Sequence, residues 1–538
     1  MKKLTLILTT VLLIAQSTLS QDHTVEFLDE QKTTSRGATF IGMDENGYVY
    51  ARSMRMFYLL YGYVVHNYIK VFNSESGMLI TDKRVDMNKE LSKMGYSTIR
   101  FMLINNKPVF LCRKKGNKDD KDYYLVDLNE KLNLVGSPYK VGYSSDCKSL
   151  FKSSESAMYF FEDLETGLQL SVTDKSCKTD DASNLQAVLR DKDNMVVNDF
   201  PISIGVSNIN QMSSTIYDKN KFYIKLFSLE RKKQEGKLFK RTERNHILLA
   251  IENDGATTEI DIDVLGPGKY VGAFNMVKSD GQLLFSGQII DEETSKFLGV
   301  FTGKIDPKND EISDINEQYF ESDFVERFWS KKQTKKAERR RNKGKDDDEG
   351  FKGSYRLIDY FPTDDGGFVN FYQKYWMEVV TRTVRGPNGT TTTTTDYYYY
   401  YTDLIPVKTN KNGDIEWVEL IPINQVTVNY DPGTSFLATQ KDEDVFIFYN
   451  SSNEQDEMLE EGNRSEKRKK RRDRIQKNAT IAMISNDGTI SFENVIDMRE
   501  ERNVSFNPGS MGKDENNQKI VMINNLKRKR SQLILVGY

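Results

Sequence analysis

The chain has 538 residues, with 76 Lys and Arg against 79 Asp and Glu and a formal net charge of −3. That balance lacks the global basic excess of a polyanion-binding protein, while 38% hydrophobic residues still permit sizeable buried cores. Aromatic residues reach 11%, with 28 Tyr and 29 Phe, a bias toward strands.

The first element is a targeting signal. Lys2 and Lys3 precede LTLILTTVLLIA (4–15), an apolar run of signal-peptide length that is too short to span a bilayer comfortably. Small residues follow, and cleavage after Ser20 gives a mature start at Gln21. An N-terminal anchor helix is the competing reading. No later segment is apolar enough for a transmembrane helix, and no Cys near the cleavage site invites a lipid anchor. Export to the periplasm or the cell exterior is expected.

Short β-rich runs then alternate with tight turns. MDENGYVYA (43–51), IENDGATTEI (251–260), VKSDGQLLFSG (277–287), PTDDGGFVNFY (362–372), KNGDIEWVEL (411–420) and ISNDGTISF (484–492) each place Asp-Gly or Asn-Gly or a close variant between strands. These pairs supply the positive φ that two-residue hairpins need. The hairpins group into four-stranded units: 38–85, 96–142, 148–204, 206–265, 269–318, 353–424 and 433–497. The C-terminal stretch offers VSFNP, KIVMINN and QLILVGY, and TVEFLDE (24–30) supplies a fourth strand. The expected fold is all-β: a β-propeller, eight blades by this count with seven as the other number, its ring closed by N- and C-terminal strands in one blade. Two packed β-sandwiches are the alternative. Helical periodicity is confined to 323–341.

Long insertions fall between the second and third strands of the units, at 52–66, 113–122, 230–245, 374–396 and 451–477. In a propeller those connections share one face, where variable binding loops belong. SDFVERFWSKKQTKKAERRRNKGKDDDEG (322–350) reads as a helix docked through Phe324, Phe328 and Trp329 that frays into a charged linker. EQDEMLEEGNRSEKRKKRRDRIQKN (454–478) reads as a solvated loop.

FVERFWSKKQTKKAERRRNKGK, TDDGGFVNFYQKYW (363–376) and DYYYYYTDLIPVKTNKNGDIEWVELIPINQ (396–425) resemble segments of a group of uncharacterised secreted proteins of Bacteroidetes. The resemblance is best over about 320–425. It implies a propeller-type fold and export in a Gram-negative cell envelope, and it carries no activity and no catalytic residues.

The search for chemistry is mostly negative. His23, His66 and His246 are the only histidines and read as strand or strand-end residues. No HExxH, GxSxG or Gly-rich phosphate loop occurs. TDDGGFVN (363–370) is similar to the Asp-box turn of sialidase-type propellers, but Asn370 stands where an aromatic belongs. DENG, NDG and DDGG read as hairpin turns, not calcium loops. Cys112, Cys147 and Cys177 permit one disulfide and show no metal spacing. No cofactor, metal or catalytic residue is singled out. The basic runs at 331–345, 467–477 and 527–530 read as solvated charge, so no specific nucleic-acid contact is expected.

Aromatic hairpins are the functional lead. Candidate partner-binding residues are Tyr375, Trp376, Tyr397, Tyr398, Tyr399, Tyr400 and Tyr401 in one insertion and Tyr58, Tyr61 and Tyr63 in another. Strand alternation puts Tyr397, Tyr399 and Tyr401 on one face, Tyr398 and Tyr400 on the other. Covered, they are packing; exposed, they are platforms for a sugar ring or a protein. TTTTTTDYYYYY (390–401) follows GPNG (386–389) and reads as the returning arm of a long hairpin. The expected function is non-enzymatic binding of a protein or glycan on the insertion face. The alternatives are a glycan-acting hydrolase or lyase that uses carboxylates in a central pocket, and a structural envelope protein.

Overall fold

The computed structural model describes residues 24–538 except 34–37, 60–61, 86–87, 115–121, 144–157, 177–181, 207–208, 234–239, 280, 327–334, 336–338, 340–349, 386–390, 430–433, 452–477, 498–507, 514–518 and 527–529. The signal segment, Tyr61, Cys147, Cys177, Phe328, Trp329, the GPNG turn and nearly all of the three basic runs lie outside the described residues.

Turn chemistry sets the architecture. Gly47, Gly255, Gly366, Gly413 and Gly488 all hold positive φ. In each turn the glycine N–H donates to the carbonyl three residues back, as from Gly47 to Asp44 at 3.0 Å and from Gly413 to Asn410 at 2.9 Å. These five are type I turns followed by a glycine bulge, not the expected two-residue loop, whereas 277–287 keeps the expected spacing with Ser279 paired to Gln282. Two-residue loops with paired positive φ occur elsewhere, at Asn105-Asn106, Lys219-Asn220 and Asp442-Glu443. There Ile104 pairs with Lys107 and Asp218 with Lys221.

The hairpins assemble into eight sheets, each with a four-strand antiparallel path. Blades one to seven take their strands in sequence order, from Thr39–Met43 in blade one to Ile490–Asp497 in blade seven. The first strands of blades three, four, five and six touch in series, as do those of blades eight, one and two. First strands therefore line the centre and fourth strands the rim. Burial agrees. Gln282–Asp291, the second strand of blade five, is almost wholly buried, whereas its fourth strand, Glu311–Tyr319, is mostly exposed.

In blade eight, Thr24–Phe27 pairs with Arg530–Gly537, which pairs with Lys519–Leu526 and then with Met511–Lys513. The N-terminal strand closes the ring, as expected. The innermost strand is Met511–Lys513; most of VSFNP, the segment expected there, lies outside the described residues. The molecule is an eight-bladed β-propeller, and the ring of blades replaces the sandwich alternative.

Cores form between blades as well as within them. Tyr223, Leu248, Phe274, Phe285 and Phe301 pack in one cluster across blades four and five. Phe361, Phe371, Phe436, Ile447 and Ala482 do the same across blades six and seven. Ser322–Glu326 is helical, and Phe324 docks against Phe320 and Phe351 at ring-centroid distances of 6.1 and 5.8 Å. A second short helix, Lys89–Lys93, has no helical periodicity to announce it. Asn88 caps it and Leu91 buries it.

Candidate functional site

Antiparallel order fixes the faces. Turns joining first to second and third to fourth strands share one face. Connections joining second to third strands, and blade to blade, share the other. On this second face several of the expected insertions are regular strand. The pairs Tyr48–Leu59 with Gly62–Asn73 and Lys221–Lys233 with Lys240–Glu252 run in register to their outer ends. Tyr58 and Tyr63 pair with each other in the first ribbon.

The longest ribbon belongs to blade six. Phe368–Arg385 pairs with Thr391–Thr409 from Phe368 opposite Thr409 out to Arg385 opposite Thr391. Thr and Tyr favour strands, and Thr381–Thr395 and Thr383–Thr393 hydroxyl pairs at 3.3 Å tie the outer part. The fourth strand of the blade is split. Ile415–Val418 pairs low on the ribbon, and Ile421–Val428 pairs with Tyr398–Leu404. Asn429, at positive φ, closes this third strand by accepting from the Tyr397 N–H and donating to Asp396.

The five tyrosines divide by height. Tyr401 is 0% and Tyr375 8% exposed, and their rings meet at 5.2 Å. These two are packing at the base of the arm, a correction to their reading as partner-binding residues. The blade covers them because Tyr401 pairs with Gln425 and Tyr375 lies beneath Arg356, whose guanidinium is 3.4 Å from the ring centroid. One register step outward the outcome reverses. Trp376 is 42% exposed and stacks on Tyr400 at 4.8 Å with an interplanar angle of 5°. Tyr400 donates to Glu378 at 3.0 Å, and Arg382 donates to the Tyr398 hydroxyl at 3.1 Å. Val426 and Val428 extend the same face and are exposed. Met377, Val379 and Tyr397 are exposed on the opposite face, beside half-buried Tyr399. The arm thus presents aliphatic and aromatic surface on both sides, fixed by hydrogen bonds.

At its foot opens a cavity of about 1040 Å³ spanning blades four, five and six. It lies on the insertion face, at the starts of the first strands. Lys225, Phe227, His246, Tyr270, Phe274 and Arg356 are among its walls, and among the described residues none that lines it is Asp or Glu. His246 lies against Phe227 at 4.8 Å and edge-on to Phe274 at 6.2 Å. Burial alone pushes the Lys225 amine down to about 8. A second cavity of about 350 Å³ opens on the same face between blades one, two and three. Arg52, Arg100 and Arg113 line it with the buried Thr98 hydroxyl, again without a carboxylate. Arg113 hydrogen-bonds the Tyr123 hydroxyl, and Arg52 donates to Asn67 at 2.9 Å.

The opposite face carries a cavity of about 270 Å³ lined by Asp44, Glu45, Asp127 and Glu130. Asp44 is occupied by its turn, accepting from the Asn46 and Tyr48 N–H groups and the Tyr50 hydroxyl. Among the described residues no cluster of His, Cys, Asp and Glu could hold a metal ion, and no helix is long and apolar enough to cross a membrane. Cys112 is free, and burial pushes its thiol up to about 12.

Fold and site together define an eight-bladed propeller with a projecting β-arm beside a cavity whose described lining residues include Lys225 and Arg356. No family model matches the chain, and no curated protein matches it. Among solved structures, the fission yeast SCAP WD40 domain is 8% identical with a TM-score of 0.39, over 96% of this chain and 94% of that one. Prolyl oligopeptidase B from Galerina marginata is 8% identical with a TM-score of 0.36, over 93% and 55% respectively. The periplasmic gluconolactonase of Pseudomonas aeruginosa is 9% identical with a TM-score of 0.31, over 75% and 99%. Likeness this distant says nothing of function.

Proposed function

We propose that the chain is an exported, non-enzymatic binding protein that takes a partner, protein or glycan, on its insertion face. The observation that carries this is the blade-six arm. Exposed Trp376 stacks on half-buried Tyr400 beside exposed Val426 and Val428, on an arm whose foot borders the cavity of about 1040 Å³ through Arg356. Exposed apolar surface on a rigid strand scaffold is the usual mark of an interaction site. A structural envelope role leaves that surface without a use.

The hydrolase reading has less support. Glycoside cleavage needs two carboxyl groups about 5–10 Å apart flanking the bond. Among the described residues, neither of these two insertion-face cavities is lined by Asp or Glu. The apolar segment 4–15 and the resemblance to secreted Bacteroidetes proteins support export to the envelope or beyond.

The test is deletion of residues 377–396 combined with Trp376→Ala and Tyr400→Ala, which removes the stacked pair itself. Trp376 and Tyr400 are already paired, so Tyr397–Tyr399 remain as a three-residue loop between them. Pull-down of envelope components with the full chain should recover a partner that the deleted chain misses, with little change in melting temperature. Equal recovery by both chains rejects the reading.

A further inference from the structure

We propose that the large cavity between blades four and six holds an acidic sugar, with the sugar's carboxylate seated on Lys225. This rests on the insertion face being the binding face, and it names the ligand class.

The first argument is an exception within the protein's own charge pairing. Lys221, four residues earlier on the same strand, has Asp310 at 2.9 Å and Glu252 at 3.2 Å. Lys269 has Glu317 at 2.7 Å, Lys278 has Asp218 at 2.7 Å, and Lys408 has Glu416 at 2.9 Å. Among the described residues Lys225 has only neutral acceptors, as exposed Lys83 and Lys441 also do, but it is half-buried. Its ammonium donates to the Phe274 carbonyl at 2.7 Å and to Asn275 Oδ1 at 2.8 Å, and lies 5.5 Å from the Phe274 ring centroid. An ammonium withdrawn from water without a carboxylate is costly to the fold. Such a group facing a cavity is a mark of a site whose counter-ion arrives from outside.

The second argument is the rest of the wall. Arg356 lines the same cavity with its ring face laid on Tyr375. A stacked guanidinium keeps its in-plane N–H donors for a ligand. Gln211, Ser213, Thr294, Ser295 and Ser354 bring neutral hydroxyl and amide groups, and half-buried Tyr270 brings a ring. Cations for a carboxylate, amides and hydroxyls for sugar hydroxyls, and a ring for a sugar face are the complement of a uronate. The volume reaches the top of the range of about 300–1,000 Å³ for small-molecule sites, room for a short oligomer.

The experiment is isothermal titration calorimetry on the full chain with trigalacturonate, neutral galactotriose and inorganic phosphate, at pH 6.5 and pH 9.5. Trigalacturonate should bind at pH 6.5 and weaken tenfold or more at pH 9.5, where the amine of the free protein is neutral. Galactotriose should bind at least tenfold more weakly, and phosphate should not displace the uronate. Lys225→Met should lose tenfold or more at pH 6.5 with its melting transition retained. Lys225→Arg should keep binding at pH 9.5, which a merely structural lysine would not predict. Arg100→Ala, in the other cavity, should bind like the unmodified chain. Unchanged affinity in Lys225→Met, equal binding of the neutral trimer, displacement by phosphate, loss in Arg100→Ala, or no heat with trigalacturonate overturns the inference. If partner recovery still depends on residues 377–396 in that event, the binding reading stands without it.

Discussion

Trp376→Ala and Tyr401→Ala should separate platform from packing within one ribbon. Tyr401 is fully covered and lies against Tyr375 at 5.2 Å. Truncating a buried aromatic costs about 3–5 kcal/mol. Trp376 is 42% exposed, so a little over half of its surface is covered. Scaling the same cost gives about 2 kcal/mol, and the vacated space opens to solvent, so collapse and hydration reduce it further, to about 1–2 kcal/mol. Urea unfolding followed by intrinsic fluorescence should therefore show a much larger loss of midpoint for Tyr401→Ala. Partner recovery should run the other way, with Trp376→Ala folded and at least tenfold weaker in binding. If Trp376→Ala destabilises as much as Tyr401→Ala, the stack is scaffold. If it recovers partner like the unmodified chain, the exposed face is not the platform.

Other expectations follow from pairing, turns and burial. Lys225→Met should stabilise the ligand-free protein by about 1–2 kcal/mol, because an ammonium without a carboxylate gives way to a side chain of similar volume. The amine sits near 8 in the fold against an ordinary 10.5, so the unfolded chain holds more protons between those values. Stability of the unmodified protein should thus rise from pH 8 to pH 10.5, and by less in Lys225→Met, as read by urea midpoints. Lys70, lowered to about 8 by burial, adds to the same rise. Gly413→Ala should cost about 2 kcal/mol or more, since Gly413 has φ +87° and an added Cβ would strike Thr302 of blade five. Removing residues 24–32 should expose the edge of Arg530–Gly537, lower the melting temperature and promote aggregation, visible by light scattering.

Blade count and closure were legible because each depends on local signals. Gly47, Gly255, Gly366, Gly413 and Gly488 mark turns whatever surrounds them, and QLILVGY reads as a core strand from its continuous apolar run. The turn type was not legible, since Asp-Gly serves both a two-residue loop and a type I turn with a bulge. Neither was the regular pairing of the insertions. Leu229–Lys233 opposite Lys240–Arg244 is charged on both strands and carries no strand period, yet the ladder continues from the buried ribbon below. The Tyr run could be assigned to faces but not to heights. Whether a tyrosine is covered depends on Arg356 and on the split fourth strand, neither of which is set by local sequence. The cavity left no trace at all. Its residues run from Gln211 to Ile358 over three blades, and Lys225 was one of 76 basic residues. Its lack of a carboxylate is a fact of space, not of spacing.

Those same turns decide where some of the acids sit. Asp44, Asp163, Asp191, Asp254 and Asp487 each accept a backbone N–H inside a turn of the tight-turn face. Aspartate is selected there by turn geometry, so blades one, three, four and seven each place acid on that side of the ring. The insertion face has such turns too, with Asp174, Asp261 and Asp291 accepting backbone N–H groups. The described lining residues of its two cavities include Lys225, Arg356, Arg52, Arg100 and Arg113 and no Asp or Glu. With a screening length of about 8 Å at physiological salt, those cations act on an anion close to the cavity mouths. An anionic ligand would be drawn to them. Raising the salt from 20 mM to 500 mM should then slow trigalacturonate association in stopped-flow fluorescence far more than it speeds dissociation. An association rate indifferent to salt would mean that the cavity cations play no part in capture.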